Sequence, residues 1–442
     1  MSADGPAASG PRGLLIAAPA SGSGKTTVTL GLLRRLREAG IGVAGAKVGP
    51  DYIDPAFHAA ASGRPCPNLD AWAMRPGTLA RRLAGLSGAD LVIGEGVMGL
   101  FDGGPGGAGS TADLAARTGW PIVMVVNAKG MAASAAALLH GFRSFDSRVT
   151  VAGAIFNRVG SPRHAALLRE ACAGIDLPML GAIPADPALV LPDRHLGLVP
   201  AGEHASLDAF LEGAARRVGD HLDLAGLTAL ARPAGMNEAG SGPALSPLGQ
   251  RIAVARDVAF AFAYPALLDD WRSAGAEILP FSPLADSAPD ETADAVYLPG
   301  GYPELHAGHL AANSGFMAGL HAAAARGAAI YGECGGYMTL GQGLVDAGGQ
   351  RHAMAGLLSV ETSFAARRLQ LGYRQARLLG DGPLGRAGTE FRGHEFHFAT
   401  ITASPQHPPL FDAADSAGAP LGPMGERAGT VAGSFLHLID RA

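Results

Sequence analysis

Residues 13–40 read GLLIAAPASGSGKTTVTLGLLRRLREAG, and this stretch sets the architecture of the N-terminal half. An apolar run suited to a buried strand leads into a Gly-rich turn, and the turn leads into a segment with apolar residues at helical spacing. Short runs rich in Val, Ile and Leu then alternate with helical stretches as far as about residue 225. This alternation predicts an α/β fold, with a parallel sheet covered by helices on both faces.

The turn ASGSGKTT, at residues 20–27, has the composition of a phosphate-binding loop, although Pro19 stands where the usual motif has its first glycine. Gly22 and Gly24 allow the backbone to approach phosphate oxygens, and the loop amides and the following helix N-terminus can surround a polyphosphate. We expect Lys25 to bridge the β- and γ-phosphates and the Thr26 hydroxyl to coordinate Mg²⁺.

Acidic residues follow two further predicted strands. Glu95 comes directly after the run LVIG, a position from which a carboxylate reaches Mg²⁺ in phosphoryl-transfer sites, so it is predicted as the second metal ligand. Lys47, Asp51 and Asp54 lie together in KVGPDYIDP, and this concentration of charge exceeds what a turn needs. The structural alternative is an Asx-turn followed by a helix N-cap at Asp54.

The composition changes between residues 227 and 249, where Pro, Gly, Ser and Ala dominate without an apolar period. We interpret this segment as a linker. A second alternation of strand-like and helix-like runs begins at residue 250, so the second half is predicted to be another α/β domain. The predicted domains are therefore residues 12–226 and 250–442.

The run IYGECGGY places Cys334 between a predicted strand and a predicted helix. The flanking glycines permit the cramped backbone of a nucleophile elbow, and helix N-terminal amides there are expected to lower the thiol pKa. His437, in GSFLHL, is the candidate base of a Cys–His pair. We expect the amide of Gly335 and an amide of the segment ending at Gly301 to hold an oxyanion.

A third member of this catalytic group is left open. The residue two positions after His437 is Ile439, and Asp440 follows it, so the pair could act without a carboxylate. The stretch RGHEFHF is predicted to be a strand that carries His394 and Glu395 near the mouth of a site. Zinc binding there is disfavoured, because no further ligand pair accompanies it.

Composition limits the classes of partner. The 442 residues carry 34 basic and 39 acidic side chains, interspersed, for a net charge of −5, so neither nucleic acid nor an anionic membrane surface is indicated. We predict no signal peptide and no membrane span. The three cysteines lie far apart, which argues against disulfides and fits a reducing cytoplasm.

Seven motifs, taken in their order and spacing, resemble the cobyrinic acid a,c-diamide synthase family of corrin biosynthesis, which includes the hydrogenobyrinic acid enzymes. They cover almost the whole chain and read ASGSGKTT, KVGPDYIDPAFH, GEGVMGLFDG, LPGGYPE, YGECGGYM, GHEFHF and GSFLHL. The resemblance implies an N-terminal half similar to dethiobiotin synthetase and a C-terminal class I glutamine amidotransferase domain.

The resemblance also implies a ligase with two sites, which uses ATP and glutamine as co-substrates and Mg²⁺ as its metal. Glutamine is hydrolysed at Cys334 with His437 as base, and the ammonia passes to the ATP site. There an acetate side chain of hydrogenobyrinic or cobyrinic acid becomes an acyl phosphate, and ammonia displaces the phosphate to give the amide. The a- and c-acetates are the groups amidated.

Individual roles follow from the same resemblance. The residues that would hold ATP are Gly22, Ser23, Gly24, Lys25, Thr26 and Thr27. Those that would hold Mg²⁺ are Thr26, Glu95 and either Asp51 or Asp54. Those associated with the tetrapyrrole and the acyl phosphate are Lys47, Tyr52, Asp54 and Asp102. By analogy with dethiobiotin synthetase, Asn157 would hydrogen-bond adenine, although an asparagine at a strand end is also a common turn former.

Three alternatives stay open. Nickel-sirohydrochlorin a,c-diamide synthase and adenosylcobyric acid synthase share both domain types. The motif KVGPDYIDPAFH disfavours adenosylcobyric acid synthase, and no residue of this sequence distinguishes the corrin enzyme from the nickel enzyme. A P-loop switch ATPase with a degenerate cysteine domain is the alternative from another class. It is disfavoured because position 20 is alanine, where partitioning ATPases carry a lysine. A homodimer is one oligomeric state that fits, and the sequence does not fix it.

Overall fold

The computed structural model describes residues 10–442 except 188, 190, 196, 237–241, 404 and 405. The chain divides into two compact units. The first is drawn from Met1–Trp72 and Pro76–Gly240, and the second from Ala73–Arg75 and Ser241–Ala442.

The first unit alternates strands and helices through most of its length. Its strands in the described ranges are β1 (Arg12–Ala17), β2 (Val43–Val48), β3 (Asn68–Leu69), β4 (Leu91–Glu95), β5 (Ile122–Asn127), β6 (Val151–Val159), β7 (Met179–Pro184), β8 (Asp193–Arg194), β9 (Gly197–Leu198) and β10 (Arg232–Pro233). Its helices are α1 (Lys25–Glu38), α2 (Asp54–Ser62), α3 (Pro76–Ala84), α4 (Thr111–Thr118), α5 (Ser134–Phe145), α6 (Pro162–Ala173), α7 (Leu207–His221) and α8 (Leu224–Leu230).

The main sheet of this unit has the strand order β3-β2-β4-β1-β5-β6-β7, and all of these neighbours pair in parallel. This confirms the predicted parallel sheet. Every residue of β2 and β4 is buried, as expected for strands covered on both faces. Because β1, β2 and β4 are neighbours that run the same way, the segments that follow them meet at one edge of the sheet.

The segment interpreted as a linker begins with regular structure. It includes the end of α8 and all of β10, which pairs antiparallel with β1 through Pro233 opposite Arg12. Its residues 237–241 lie outside the described residues. The proposed domain boundaries therefore stay a prediction.

The second unit contains more strands than helices in its described part. Its strands are β11 (Arg251–Ala255), β12 (Glu277–Phe281), β13 (Ala295–Leu298), β14 (Ala329–Glu333), β15 (Gly343–Val345), β16 (Arg351–Ala353), β17 (Glu361–Ser363), β18 (Gln370–Leu378), β19 (Glu390–His397), β20 (Thr400–Ala403), β21 (Phe411–Asp415), β22 (Pro420–Met424), β23 (Glu426–Ala428), β24 (Val431–Ser434) and β25 (Leu436–Arg441). Its helices are α9 (Pro265–Ser273), α10 (Ala307–Ala312), α11 (Ser314–Ala325) and α12 (Gly335–Leu340).

Two sheets of the second unit position its functional residues. One has the order β12-β11-β13-β14-β24-β23, parallel except at the β23 edge. The other is antiparallel, with the order β22-β21-β18-β19-β25. The chain passes from β24 in the first sheet to β25 in the second within two residues, so β25 begins beside the carboxyl end of β14.

Among the helices that the structure describes, none combines the length and the apolar character that crossing a membrane requires.

Candidate functional site

The phosphate-binding loop connects β1 to α1 in the first unit. Gly22 and Gly24 have φ angles of 77° and 93°, in the left-handed region that favours glycine. A Cβ atom added at Gly24 would lie 2.2 Å from Nδ2 of Asn157. Glycine is therefore required at position 24 both by the backbone angle and by the space available.

Lys25 begins α1, and its side chain is buried beside the loop that follows β4. Its Nζ donates a hydrogen bond to the carbonyl oxygen of Met98 at 2.6 Å. Burial lowers the pKa of Lys25, and the nearby Glu95 carboxylate opposes this effect. Asp102 lies in the same loop, where its carboxylate accepts a hydrogen bond from the amide of Gly99 at 2.9 Å.

Thr26 and Glu95 are in direct contact next to the phosphate-binding loop. The Thr26 hydroxyl donates to Oε1 of Glu95 at 2.6 Å, and Glu95 is fully buried at the end of β4. These are hard oxygen donors of the kind that Mg²⁺ prefers, and Mg²⁺ usually completes its shell with water and nucleotide phosphates. The pair therefore fits a magnesium site. Within the described ranges, no group of three or more His, Cys, Asp or Glu side chains is arranged to hold a metal.

The predicted acidic residues surround the buried ammonium group of Lys47. Its Nζ lies 2.5 Å from Oδ2 of Asp54, 3.2 Å from Oε1 of Glu95 and 3.7 Å from Oδ2 of Asp51. Burial lowers the pKa of Lys47, but the carboxylates of Asp54 and Glu95 outweigh burial and hold it well above its usual value. The lysine thus stays charged and neutralises a cluster of carboxylates.

Asp51 and Asp54 differ in their local contacts. Oδ1 of Asp51 accepts hydrogen bonds from the amides of Ile53 and Asp54, at 2.9 and 3.0 Å, so Asp51 forms the turn that precedes α2. Asp54 is the first residue of that helix and not its N-cap. Asp51 therefore forms the Asx-turn that the sequence suggested, and the N-cap position falls on Ile53 instead of Asp54. Tyr52 lies in the same turn and is partly buried.

His58 completes the surroundings of Glu95, and sequence reasoning gave it no role. Its Nε2 lies 2.6 Å from Oε2 of Glu95, and Sγ of Cys66 lies 3.4 Å from its Nδ1. Burial raises the pKa of Glu95, but Lys47 and His58 outweigh burial and hold it well below its usual range. The Glu95 carboxylate is therefore ionised and fixed through both oxygens. The sequence signal that could have identified this residue is its position one helical turn after Asp54 in α2.

Asn157 lies near the end of β6, opposite the phosphate-binding loop. Its Nδ2 donates to the carbonyl oxygen of Ser23 at 3.1 Å, and its Oδ1 accepts from the amide of Arg158. Together with Thr27 and Val28 it lines a cavity of about 350 Å³. The lining surface is mostly apolar, and it also includes Arg158, Asp186 and Arg217. Such a cavity, with an amide group beside a phosphate-binding loop, is suited to a nucleotide base.

Cys334 lies at the turn between β14 and α12 in the second unit. Its φ and ψ angles are 48° and −99°, a strained conformation for a residue other than glycine. Such a strand-to-helix turn is the geometry of a nucleophile elbow. His437, on β25, lies next to it: a Cβ atom added at Gly300 would lie 2.4 Å from Cε1 of His437 and 3.4 Å from Cβ of Cys334.

Gly301 and Gly335, whose amides are predicted to form an oxyanion hole, lie close together. A Cβ atom added at Gly335 would lie 3.0 Å from the backbone nitrogen of Gly301. The segment that carries Gly301 is fixed to the elbow, because the amide of Gly336 donates to the carbonyl oxygen of Pro299 at 3.1 Å. Two amide donors beside a thiol can stabilise a tetrahedral oxyanion.

Cys334 and His437 are both neutral in this structure. Burial raises the pKa of the Cys334 thiol well above its usual value, and the hydrogen bond from the Gly335 amide only partly opposes this. The expectation that the elbow lowers the thiol pKa is therefore wrong for the enclosed site. Burial, with the charges of His394 and His397, lowers the pKa of His437 to about 3.

The stretch RGHEFHF forms most of β19, as predicted. Glu395 is buried, and its carboxylate pairs with Arg374 at 2.7 Å and with Nε2 of His397 at 3.0 Å. These three side chains line a cavity of about 760 Å³, together with Tyr337 from α12 and Phe435. The Glu395 carboxylate is therefore paired with two side chains of the second unit.

Comparisons with known proteins agree with this division of sites. Residues 14–199 match the family described as the CobQ/CobB/MinD/ParA nucleotide binding domain. Residues 251–441 match the CobB/CobQ-like glutamine amidotransferase domain. The phosphate-binding loop lies in the first match, and the Cys–His pair lies in the second.

Relatives match over both halves at once. A hydrogenobyrinate a,c-diamide synthase of Rhizobium meliloti (strain 1021) is 55% identical over 434 residues, which cover 97% of this chain and 99% of the relative. A protein of the same name from Brucella suis biovar 1 (strain 1330) is 54% identical, over 97% of this chain and 98% of the relative. One from Mesorhizobium japonicum is 52% identical, over 98% and 99%. The chain therefore belongs to the hydrogenobyrinate a,c-diamide synthase family.

Proposed function

We propose that the protein is an ATP-dependent carbon–nitrogen ligase that amidates the a- and c-acetate side chains of hydrogenobyrinic acid, with glutamine as the nitrogen donor. The observation that carries this proposal is the match to relatives of that name, because it extends over 97% of the chain and includes both sites. The geometry of each site supports one half of the reaction.

The second unit would release ammonia from glutamine. Sγ of Cys334 attacks the side-chain amide carbon while its proton passes to His437, and the amides of Gly301 and Gly335 hold the oxyanion. His437 then returns the proton to the departing ammonia. A water molecule hydrolyses the resulting thioester, which releases glutamate and restores the thiol.

The first unit would activate the acid. The substrate carboxylate attacks the γ-phosphorus of ATP, giving an acyl phosphate and ADP, and ammonia then displaces inorganic phosphate to form the amide. Lys25 and the loop amides stabilise the charge on the transferred phosphoryl group. Mg²⁺, held by Thr26 and Glu95, would neutralise phosphate charge when bound. Activation is needed because phosphate is a far better leaving group than a carboxylate oxygen.

Further roles belong to the same proposal. Lys47, Tyr52, Asp54 and Asp102 are assigned to the tetrapyrrole and the acyl phosphate, and Lys47 and Asp54 are already in contact. Cys66, Cys172 and Cys334 are all free thiols, which fits a reducing cytoplasm. The substrate is a small molecule, so we propose no nucleic-acid or membrane partner, and a homodimer is the oligomeric state to test.

The test is an amidation assay on the purified protein with ATP, Mg²⁺ and glutamine. Hydrogenobyrinic acid, cobyrinic acid and nickel-sirohydrochlorin are supplied in parallel, and products are counted by mass spectrometry. We expect hydrogenobyrinic acid to gain two amides at the highest rate. Preferential amidation of nickel-sirohydrochlorin would contradict the substrate assignment, and ATP turnover that needs neither a tetrapyrrole nor glutamine would favour a switch ATPase.

A further inference from the structure

The imidazole of His437 presents two different edges to its surroundings. A Cβ atom added at Gly300 would lie 3.2 Å from Nε2 of His437 and 3.4 Å from Cβ of Cys334, so the Cε1–Nε2 edge of the ring and the Cys334 side chain both lie against Gly300. The other ring nitrogen, Nδ1, lies 3.7 Å from Oε2 of Glu333. Glu333 directly precedes Cys334 in the chain and ends β14.

The carboxylate of Glu333 is held in place by neighbours on both sides. Its Oε1 accepts a hydrogen bond from the amide of Leu438 at 3.1 Å, and its Oε2 accepts one from the Tyr297 hydroxyl at 2.7 Å. Leu438 is the residue after His437, so the carboxylate is tied to the strand that carries the base. Only 2% of Glu333 is exposed to solvent.

From this geometry we propose that Glu333 is the positioning residue of the Cys334–His437 pair. It would keep the proton of neutral His437 on Nδ1, which makes Nε2 the nitrogen that accepts the thiol proton, and it would stabilise the imidazolium that results. This inference rests on the glutamine half of the proposed function. At 3.7 Å the contact is longer than a hydrogen bond, and such contacts commonly shorten when substrate binds.

Asp440, the acid nearest to the usual position after the histidine, is engaged elsewhere in the second unit. Its carboxylate accepts hydrogen bonds from the backbone amide and Nε of Arg75, at 2.8 and 2.9 Å. Glu333, which precedes the nucleophile in the sequence, therefore provides the carboxylate that in related triads comes from a residue after the histidine.

Positive charge near His437 opposes its protonation, and an acidic neighbour would offset this effect. His394 lies directly opposite His437 in the β19–β25 pairing, and positive charge on His394 or His397 disfavours protonation of His437. Burial raises the pKa of Glu333 to about 7, although hydrogen bonds from Leu438 and Tyr297 lower it. Glu333 can therefore lose its proton near neutral pH and counter the two histidines.

The test begins with glutamine hydrolysis by the full-length Glu333→Gln variant, which keeps the side-chain shape and removes the charge. We expect kcat to fall by about 10- to 100-fold, less than the roughly 10²- to 10⁴-fold contributed by a group that itself transfers the proton, while KM for glutamine changes by less than twofold. Glu333→Asp should recover part of this loss. Glu426→Gln is the matched control, because Glu426 is also buried and also accepts one hydroxyl and one backbone amide, from Ser359 and Val360.

A second measurement separates positioning from folding. The rate of Cys334 alkylation by iodoacetamide is followed against pH by peptide mass spectrometry. Without Glu333 the thiolate–imidazolium pair is less stable, so the midpoint of this profile should move to higher pH in Glu333→Gln and stay unchanged in Glu426→Gln. Synthesis with free ammonia should continue in both variants.

An unchanged alkylation profile together with wild-type kcat in Glu333→Gln would overturn the inference. Equal loss of ammonia-dependent and glutamine-dependent synthesis would also overturn it, since that pattern indicates damage to the fold. Failure of the proposed function would appear differently, as an unsubstituted protein that forms no amide from free ammonia. The alkylation profile can be measured in that case too.

Discussion

Adding one methyl group at Gly300 should disable glutamine hydrolysis although neither Cys334 nor His437 is substituted. In Gly300→Ala the new Cβ would lie 2.4 Å from Cε1 of His437, about 1 Å inside ordinary van der Waals contact. The backbone cannot easily retreat, because the amide of Phe262 donates to the carbonyl oxygen of Gly300 at 2.9 Å. The imidazole must therefore move by about 1 Å, a displacement that can cost about 100-fold in rate.

The assay compares glutamate release with amide synthesis from free ammonia in the same preparation. We expect glutamate release to fall by about 100-fold and ammonia-dependent synthesis to be unchanged. Gly308→Ala is the control, since its added Cβ would lie 3.4 Å from His352, at an ordinary contact distance. Near-normal glutaminase activity in Gly300→Ala would refute the placement of His437 against Gly300 and Cys334.

Four further substitutions test other parts of the account. Cys334→Ala should abolish glutamine-dependent amidation and leave the ammonia-dependent reaction intact; loss of both would assign the thiol to the fold or the ATP site. Lys25→Ala should stop synthesis from either nitrogen source, measured as amide formed, and retained synthesis would contradict ATP activation. Asn157→Ala should raise KM for ATP by about fivefold, the effect of one lost hydrogen bond of about 1 kcal/mol, and an unchanged KM would exclude a role in nucleotide binding. His437 has a pKa of about 3 in the folded protein, so the unfolded chain binds more protons below pH 6.5 and the free energy of unfolding falls as pH falls. Between pH 7 and pH 5, denaturant titrations should show that wild type loses about 2 kcal/mol more of its unfolding free energy than His437→Gln does. Equal losses would contradict a buried neutral imidazole.

Features encoded within a short stretch of sequence were predictable. The strand, loop and helix around Lys25 are contiguous, and so are the strand and helix on either side of Cys334. In both places the glycine pattern, the apolar run and the chemistry of one residue point to the same local structure. The parallel pairing of the main sheet followed from the alternation of elements, but its strand order did not.

Features that depend on residues far apart in sequence were not predictable in the same way. Glu95 contacts His58 across 37 positions, and nothing in the local pattern links the two. The antiparallel sheet around β18 and β19 was missed except for one strand, because strand pairing is decided by packing rather than by local propensity.

Burial accounts for the remaining differences. A glycine-flanked cysteine before a helix predicts an acidic thiol, but enclosure of the site reverses the direction of the pKa shift. Glu333 was visible in the sequence next to the nucleophile. Its relation to His437 could be recognised only when β14 and β25 were seen to bring the two side chains to 3.7 Å.

In the proposed reaction, ATP activates a carboxylate in one unit while a thiol releases ammonia from glutamine in the other. Hydrogenobyrinic acid labelled with ¹⁸O in its carboxylates tests it most directly, with ATP and glutamine in unlabelled water. The account predicts one ¹⁸O atom in inorganic phosphate for each amide formed, since the acyl phosphate carries a substrate oxygen to phosphorus. Amide formation with unlabelled phosphate would contradict it.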